Sequence, residues 1–190
     1  MSSFRSTPLF GGALIVDLPS TFADVRYIYP LKPHNSSSPR SSRSLPGQRW
    51  LHQHHLRHHR ARGRAGSGPA VDGAALTTHL EDIVDSDVDT VKVWNTSNTQ
   101  FSKLPEGIPA YTLIATQTPP PAPDSKSPDF TAIVLTLIRL ERESTDILIT
   151  INVPHIKGEY TEEEVDMQMG KQGKLIESSV EIAAKIWETF

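Results

Sequence analysis

Five histidines crowd one short run of this sequence: His52, His54, His55, His58 and His59. Imidazoles three and four residues apart can share a helix face and hold a metal ion. Four arginines run through and past the same stretch, Arg57, Arg60, Arg62 and Arg64. They would attract polyanions in a salt-dependent way. Trp50 is the one aromatic residue interleaved with them, too little stacking surface for specific nucleic-acid recognition. A third group is acidic: Glu81, Asp82, Asp85, Asp87 and Asp89, with His79 just ahead of it. As a solvated helix face this group needs no function. As a surface it would steer and orient a basic partner. His79 reads as a packing or capping residue rather than a general base, because no serine or cysteine nucleophile accompanies it in a recognisable motif. Glu162, Glu163 and Glu164 suit the positive end of a helix.

Much chemistry is missing. The chain has no cysteine, which removes disulfides, thiolate zinc sites and cysteine nucleophiles together. No phosphate loop, dinucleotide-binding glycine motif or nucleophile elbow is present; Gly11-Gly12 is a turn signal only. The sequence thus leads us to expect no enzyme activity, no cofactor and no metal site. No run of 18 apolar residues occurs, so no membrane-spanning helix is expected either.

The elements that must position these groups follow from periodicity. With 190 residues and 37% hydrophobic content the chain suits one domain with a modest core. Residues 1–7 are expected to be disordered, and residues 9–18 to form a glycine turn feeding a strand that ends at Pro19. Ala74, Ala75, Leu76, Leu80, Ile83 and Val84 recur at helical spacing and predict a helix over about 73–86, with Glu81 and Asp82 off the apolar stripe. Strands are predicted over 89–94, 110–118, 130–140 and 146–153. The last two form a hairpin through Glu141–Thr145, and Pro154 is expected to stop the second. The proline-rich stretch 119–128 reads as a stiff connection between strands. Residues 174–190 predict an amphipathic helix with Leu175, Ile176, Val180, Ala183, Ala184 and Trp187 on one face. The fold class is α+β, an antiparallel sheet flanked by helices.

Charge is distributed unevenly. From Val25 to Val71 there is no Asp or Glu, yet nine Arg and Lys and six of the eight His fall there. The remainder carries ten basic residues against 22 acidic ones, a net of −12. Residues 26–70 show no helical or strand period and are rich in Ser, Pro, Arg, His and Gly, so they are expected to be disordered and to leave the sheet incomplete.

Several stretches resemble one family. Pro8-Leu9-Phe10-Gly11-Gly12-Ala13, Pro19 and Phe22-Ala23-Asp24-Val25 resemble the N-terminal strand region of the Ran guanine-nucleotide release factors, the Mog-one family of nuclear import. His79-Leu80-Glu81-Asp82 resembles that family's His-x-Glu-Asp helix segment. Leu137-Ile138-Arg139-Leu140, Thr145-Asp146 and Ile151-Asn152-Val153-Pro154 resemble its central hairpin and are the most specific of the set. The resemblance covers 8–25 and 72–190. It implies a PsbP-like fold and a non-catalytic function: binding Ran and promoting release of its guanine nucleotide, in nucleus and cytoplasm. It also implies His79, Glu81, Asp82 and Asp85 as partner-binding residues. A scaffold or accessory domain of the same fold is the alternative, as is a defective product that does not bind Ran.

The departure from the family lies in 26–70. Family members continue there with a Val-Pro-Asp-x-Gln-Glu-Val strand and a second strand ending in an acidic Asp-x-x-Glu pattern. A single shift of reading frame from about Ser36 to Arg62 recovers both. With permitted synonymous codons, Pro39 to Gln48 become Pro-Asp-His-Gln-Glu-Val-Phe-Leu-Ala-Lys, and Arg49 to Arg62 become a strand-forming run after an Asp-Gly turn. The histidines then arise from misread Ile and Thr codons. The Asp-x-x-Glu pattern falls where Arg57 and Arg60 stand, so the chain as written reverses charge at a place the family resemblance assigns to Ran contact, and weak Ran binding is expected.

Overall fold

A computed structural model of the chain describes residues 3–9, 12–20, 53–60, 68–84, 90–119 and 127–190. Its centre is a five-stranded antiparallel sheet in the order β3-β7-β6-β5-β4, made of β3 (Gln53–Arg60), β4 (Val91–Asn98), β5 (Ala110–Gln117), β6 (Phe130–Leu140) and β7 (Thr145–His155). A separate hairpin, β1 (Phe4–Leu9) and β2 (Leu14–Pro19), completes the strands. Helices α1 (Pro69–Val84) and α2 (Gly173–Thr189) pack on the sheet. The architecture is α+β, an antiparallel sheet flanked by helices, as the periodicity predicts.

The apolar pattern of β6 explains the layering. Ile133, Leu135 and Leu137 point to one face and meet Ala75, Leu76, Leu80 and Val84 of α1. Ala132 and Val134 point to the other and meet Ile176 and Ala183 of α2. A strand buried on both faces must be apolar at successive positions, and β6 is. Near the chain ends, Val16 and Leu18 of β2 close against Ile138, Ile147, Ile149, Ile186 and Phe190. The buried stripe of α2 runs through Ile176, Ser179, Ala183 and Ile186. Gly173 opens that helix at φ 73°, where a Cβ would lie 2.7 Å from Val165 Cγ2. Only glycine meets both conditions without displacement.

Apart from β4, which runs four residues past its expected end at Trp94, the elements depart from expectation in four places. Helix α1 starts four residues early, at Pro69, because proline is compatible with a first helical turn, where its missing N–H costs nothing. Phe4–Thr7, expected within a disordered N-terminus, pair with 16–19 of β2. Pro154 does not end β7. It pairs in register with Thr131, while the carbonyl of its neighbour His155 accepts from Asp129 N on the β6 side, so Pro154 faces the opposite edge. Among the described residues the β3 ladder runs from Thr145 to Asn152 and does not include Pro154, which has no N–H to give it. The largest correction is β3. Gln53–Arg60, expected to be disordered, pair residue for residue with Thr145–Asn152. Ladder bonds come from the backbone, so β7 can accept an edge partner whose side chains carry little strand propensity. The rest of 26–67 lies outside the described residues, as do 85–89 and 120–126.

A hydroxyl ladder crosses the sheet. Thr99 Oγ1 lies 2.6 Å from Thr112 Oγ1, which lies 2.7 Å from Thr136 Oγ1, all buried. Thr112→Val keeps the shape but strips a partner from two buried hydroxyls. We expect it to cost about 1–3 kcal/mol in urea unfolding, because unpaired buried polar groups lose their desolvation energy uncompensated. A cost indistinguishable from zero would show that the ladder contributes nothing net.

Candidate partner-binding surface

The geometry of α1 separates its polar residues into two sets. Asp72 and His79, two turns apart, face the sheet; Glu81 and Asp82 face outward and are exposed. The inward set is tied into a buried polar network. His79 Nε2 lies 2.8 Å from Asp146 Oδ2. With a carboxylate as acceptor, the proton of that bond sits on Nε2. Arg139 Nη1 donates to Asp72 Oδ1 at 3.0 Å, and Arg139 Nε approaches Asp146 Oδ1 at 3.6 Å. Asp72 Oδ2 also accepts from Gly68 N at 3.0 Å, just ahead of the helix. None of the four side chains is more than 4% exposed. Burial pushes the Tyr111 phenol up, and the nearby Asp72 carboxylate adds to the shift.

The network has a simple cause in the sequence. Asp72 to Arg139 and His79 to Asp146 are both separated by 67 residues. Two turns of α1 therefore match the step from the end of β6 to the start of β7. This network fixes α1 against the hairpin, so the outward side chains Glu81 and Asp82 are presented on a positioned helix rather than on a loop. Of the residues expected to contact a partner, His79 is fully buried. Any contribution it makes to binding runs through the position of α1. Glu81 and Asp82 are surface residues, and Asp85 lies outside the described residues, as do Asp87 and Asp89. Asp72, Arg139 and Asp146 were assigned no role from sequence. The sequence signal is Arg139, the one charged residue of β6, which faces Asp146 directly in the hairpin register.

Beyond α1, the described residues line two hollows. An open groove of about 480 Å³ lies between Trp94, Thr116, Phe130 and the segment Glu162–Lys171. Its lining carries Asp129, Glu162, Glu163, Asp166 and Lys171. Beside it, a cavity of about 200 Å³ lies under Tyr160, Thr161 and Lys174. Tyr160 donates to Asp129 Oδ2 at 3.0 Å, and burial together with that carboxylate pushes its phenol up to about 12. The buried ring of His155 stacks on Phe130 at 4.1 Å and meets Tyr160 edge-on at 4.9 Å. His155 Nδ1 lies 2.9 Å from Val153 O. This cluster is packing at the sheet end. Of the expected histidine cluster, His54, His55, His58 and His59 lie in β3, and His52 lies outside the described residues.

Residues 62–154, which hold α1, the network and the β6–β7 hairpin, match the family described as "Ran-interacting Mog1 protein". The chain is similar to the Mog1 family over that stretch, just under half of its length. Its fold is that of the Mog1 structures. The Ran-binding protein Mog1p of Saccharomyces cerevisiae superimposes with a TM-score of 0.64 at 18% identity, over 98% of this chain and 93% of that one. A mutant of protein Mog1 does so with a TM-score of 0.61 at 18% identity, over 97% and 93%. No curated protein matches the sequence. The match begins at residue 62, inside the 26–70 stretch that departs from the family pattern.

Proposed function

We propose that this chain binds the small GTPase Ran and promotes release of its guanine nucleotide, in support of nuclear protein import in nucleus and cytoplasm. The observation that carries this reading is the Mog1-family match over 62–154. The exposed Glu81–Asp82 pair on α1 supports it, because an acidic face steers and orients a basic GTPase surface. The mechanism is linkage and needs no covalent step by this chain. A partner that binds the nucleotide-free GTPase more tightly than the loaded form weakens nucleotide binding by the same factor. Arg57 and Arg60 lower the affinity of the chain as written, since they stand where the family resemblance expects acids.

The test compares binding of Ran in its loaded and nucleotide-free states by biolayer interferometry, alongside release of a fluorescent guanine nucleotide. Tighter binding to the nucleotide-free form, with accelerated release, is the expected result. Equal affinity for both states would refute the release function. If neither this chain nor a form with acids restored at 57 and 60 binds Ran, the scaffold reading replaces this one. In the acid-restored background, the double change Glu81→Lys and Asp82→Lys is expected to weaken Ran binding about five- to tenfold, mainly by slowing association. Stability should move by no more than about 0.5 kcal/mol, since both side chains are on the surface. Unchanged association kinetics would remove α1 from the interface.

A further inference from the structure

We propose that Thr161 is a phosphorylation site for an acidophilic serine/threonine protein kinase, one whose substrate groove is lined with basic side chains. Four observations converge on this hydroxyl. Thr161 is exposed, on the irregular segment between β7 and α2. Three carboxylates follow it without interruption, Glu162, Glu163 and Glu164, which is the charge pattern a basic groove selects. Its side chain makes no capping bond to the short turn it precedes. That turn is held by two backbone bonds, Glu164 N to Thr161 O and Val165 N to Glu162 O, both 3.1 Å, so opening it to an extended strand in a kinase groove costs little.

Other hydroxyls in the described chain are worse placed. Thr78 has Glu81 three residues on but lies inside α1, where its Oγ1 donates to Ala74 O at 3.0 Å. Ser179 is buried within α2 and donates to Leu175 O at 2.8 Å. Ser178 has Glu181 three residues on but sits within the same helix. To extend any of these in a kinase groove would unwind a packed helix.

In the reaction, Thr161 Oγ1 attacks the γ-phosphorus of magnesium-bound ATP. The new O–P bond forms as the β–γ bridging bond breaks, ADP leaves with the bridging oxygen, and the hydroxyl proton passes to the kinase's base. The phosphate would then sit beside Lys174, which lines the same cavity as Thr161 and now bonds Glu164 Oε1 at 3.1 Å. It would also add close to two negative charges next to the carboxylates of the Trp94 groove.

The experiment incubates the full chain with ATP and casein kinase 2 as the acidophilic enzyme, or with the basophilic catalytic subunit of the cyclic-AMP-dependent kinase as control. Trypsin releases the peptide Gly158–Lys171, in which Thr161 is the sole serine or threonine, so its mass and fragmentation report on this site. Phosphate on Thr161 with the acidophilic kinase but not the control is expected. Thr161→Ala should abolish it with an unchanged melting curve. The triple change Glu162→Gln, Glu163→Gln and Glu164→Gln should lower kcat/KM at least tenfold. An unlabelled peptide under conditions that label casein would overturn the proposal, as would labelling that is indifferent to the three glutamates.

Discussion

Asp146→Ala is expected to cost about 3–5 kcal/mol of stability, the scale for removing one partner from a buried ionic group. Small domains hold only about 5–15 kcal/mol, so much of that reserve would go. The reason is the position of Asp146 between two partners. It takes the His79 bond at 2.8 Å and faces Arg139 Nε at 3.6 Å, with all three side chains shut away from water. Its loss takes one carboxylate away from a buried guanidinium and the carboxylate bond away from a buried imidazole. Asp146→Asn keeps the shape and one acceptor, and should lose less. Urea unfolding followed by circular dichroism decides this. A loss below about 1 kcal/mol for the alanine change would mean that water or relaxation replaces the carboxylate, and that the network does not fix α1.

The second large effect is a gain. Arg57→Asp with Arg60→Glu is expected to raise affinity for nucleotide-free Ran by about ten- to a hundredfold. The change moves net charge by four units at a place where the family resemblance expects acids. Like charges facing each other across an interface cost several kcal/mol, and each 1.4 kcal/mol is about tenfold in affinity. Both positions lie in β3, opposite Leu148 and Thr145 of β7. The gain should shrink as salt is raised, because it is electrostatic. An unchanged dissociation constant between low and moderate salt would show that β3 lies away from the GTPase. Sequencing the transcript is the complementary check on the reading-frame shift. An intact message for the present frame, expressed as protein, would sink it.

What the sequence made legible was whatever rests on side-chain periodicity. The continuous apolar run of β6, the β6–β7 hairpin and the stripes of α1 and α2 carry their structure in the spacing of Ile, Leu, Val and Ala, and apart from the early start of α1 each stands close to its expected bounds. What stayed hidden depends on partners distant in sequence. Pro154 remains in a strand through its pairing with Thr131 of β6. Phe4–Thr7 become a strand only because β2 lies alongside. β3 has no strand-like pattern of its own and takes its conformation from β7. On the candidate surface, Glu81 and Asp82 were legible because they fall off the apolar stripe. The buried Asp72–Arg139–Asp146–His79 network was not, because two matching separations of 67 residues have meaning only once the helix lies on the hairpin.

The order of the strands also says how damage is contained. β3 stands at the edge of the sheet, and its ladder joins residues such as Arg60 and Thr145 that are far apart along the chain. Closing so long a loop is entropically expensive, so the hairpin of β6 and β7 can assemble before β3 adds to it. An altered stretch before residue 62 therefore reaches the fold at its last and outermost addition. The four strands from β7 to β4, with both helices, can form a core whose assembly does not wait for the stretch that departs from the family.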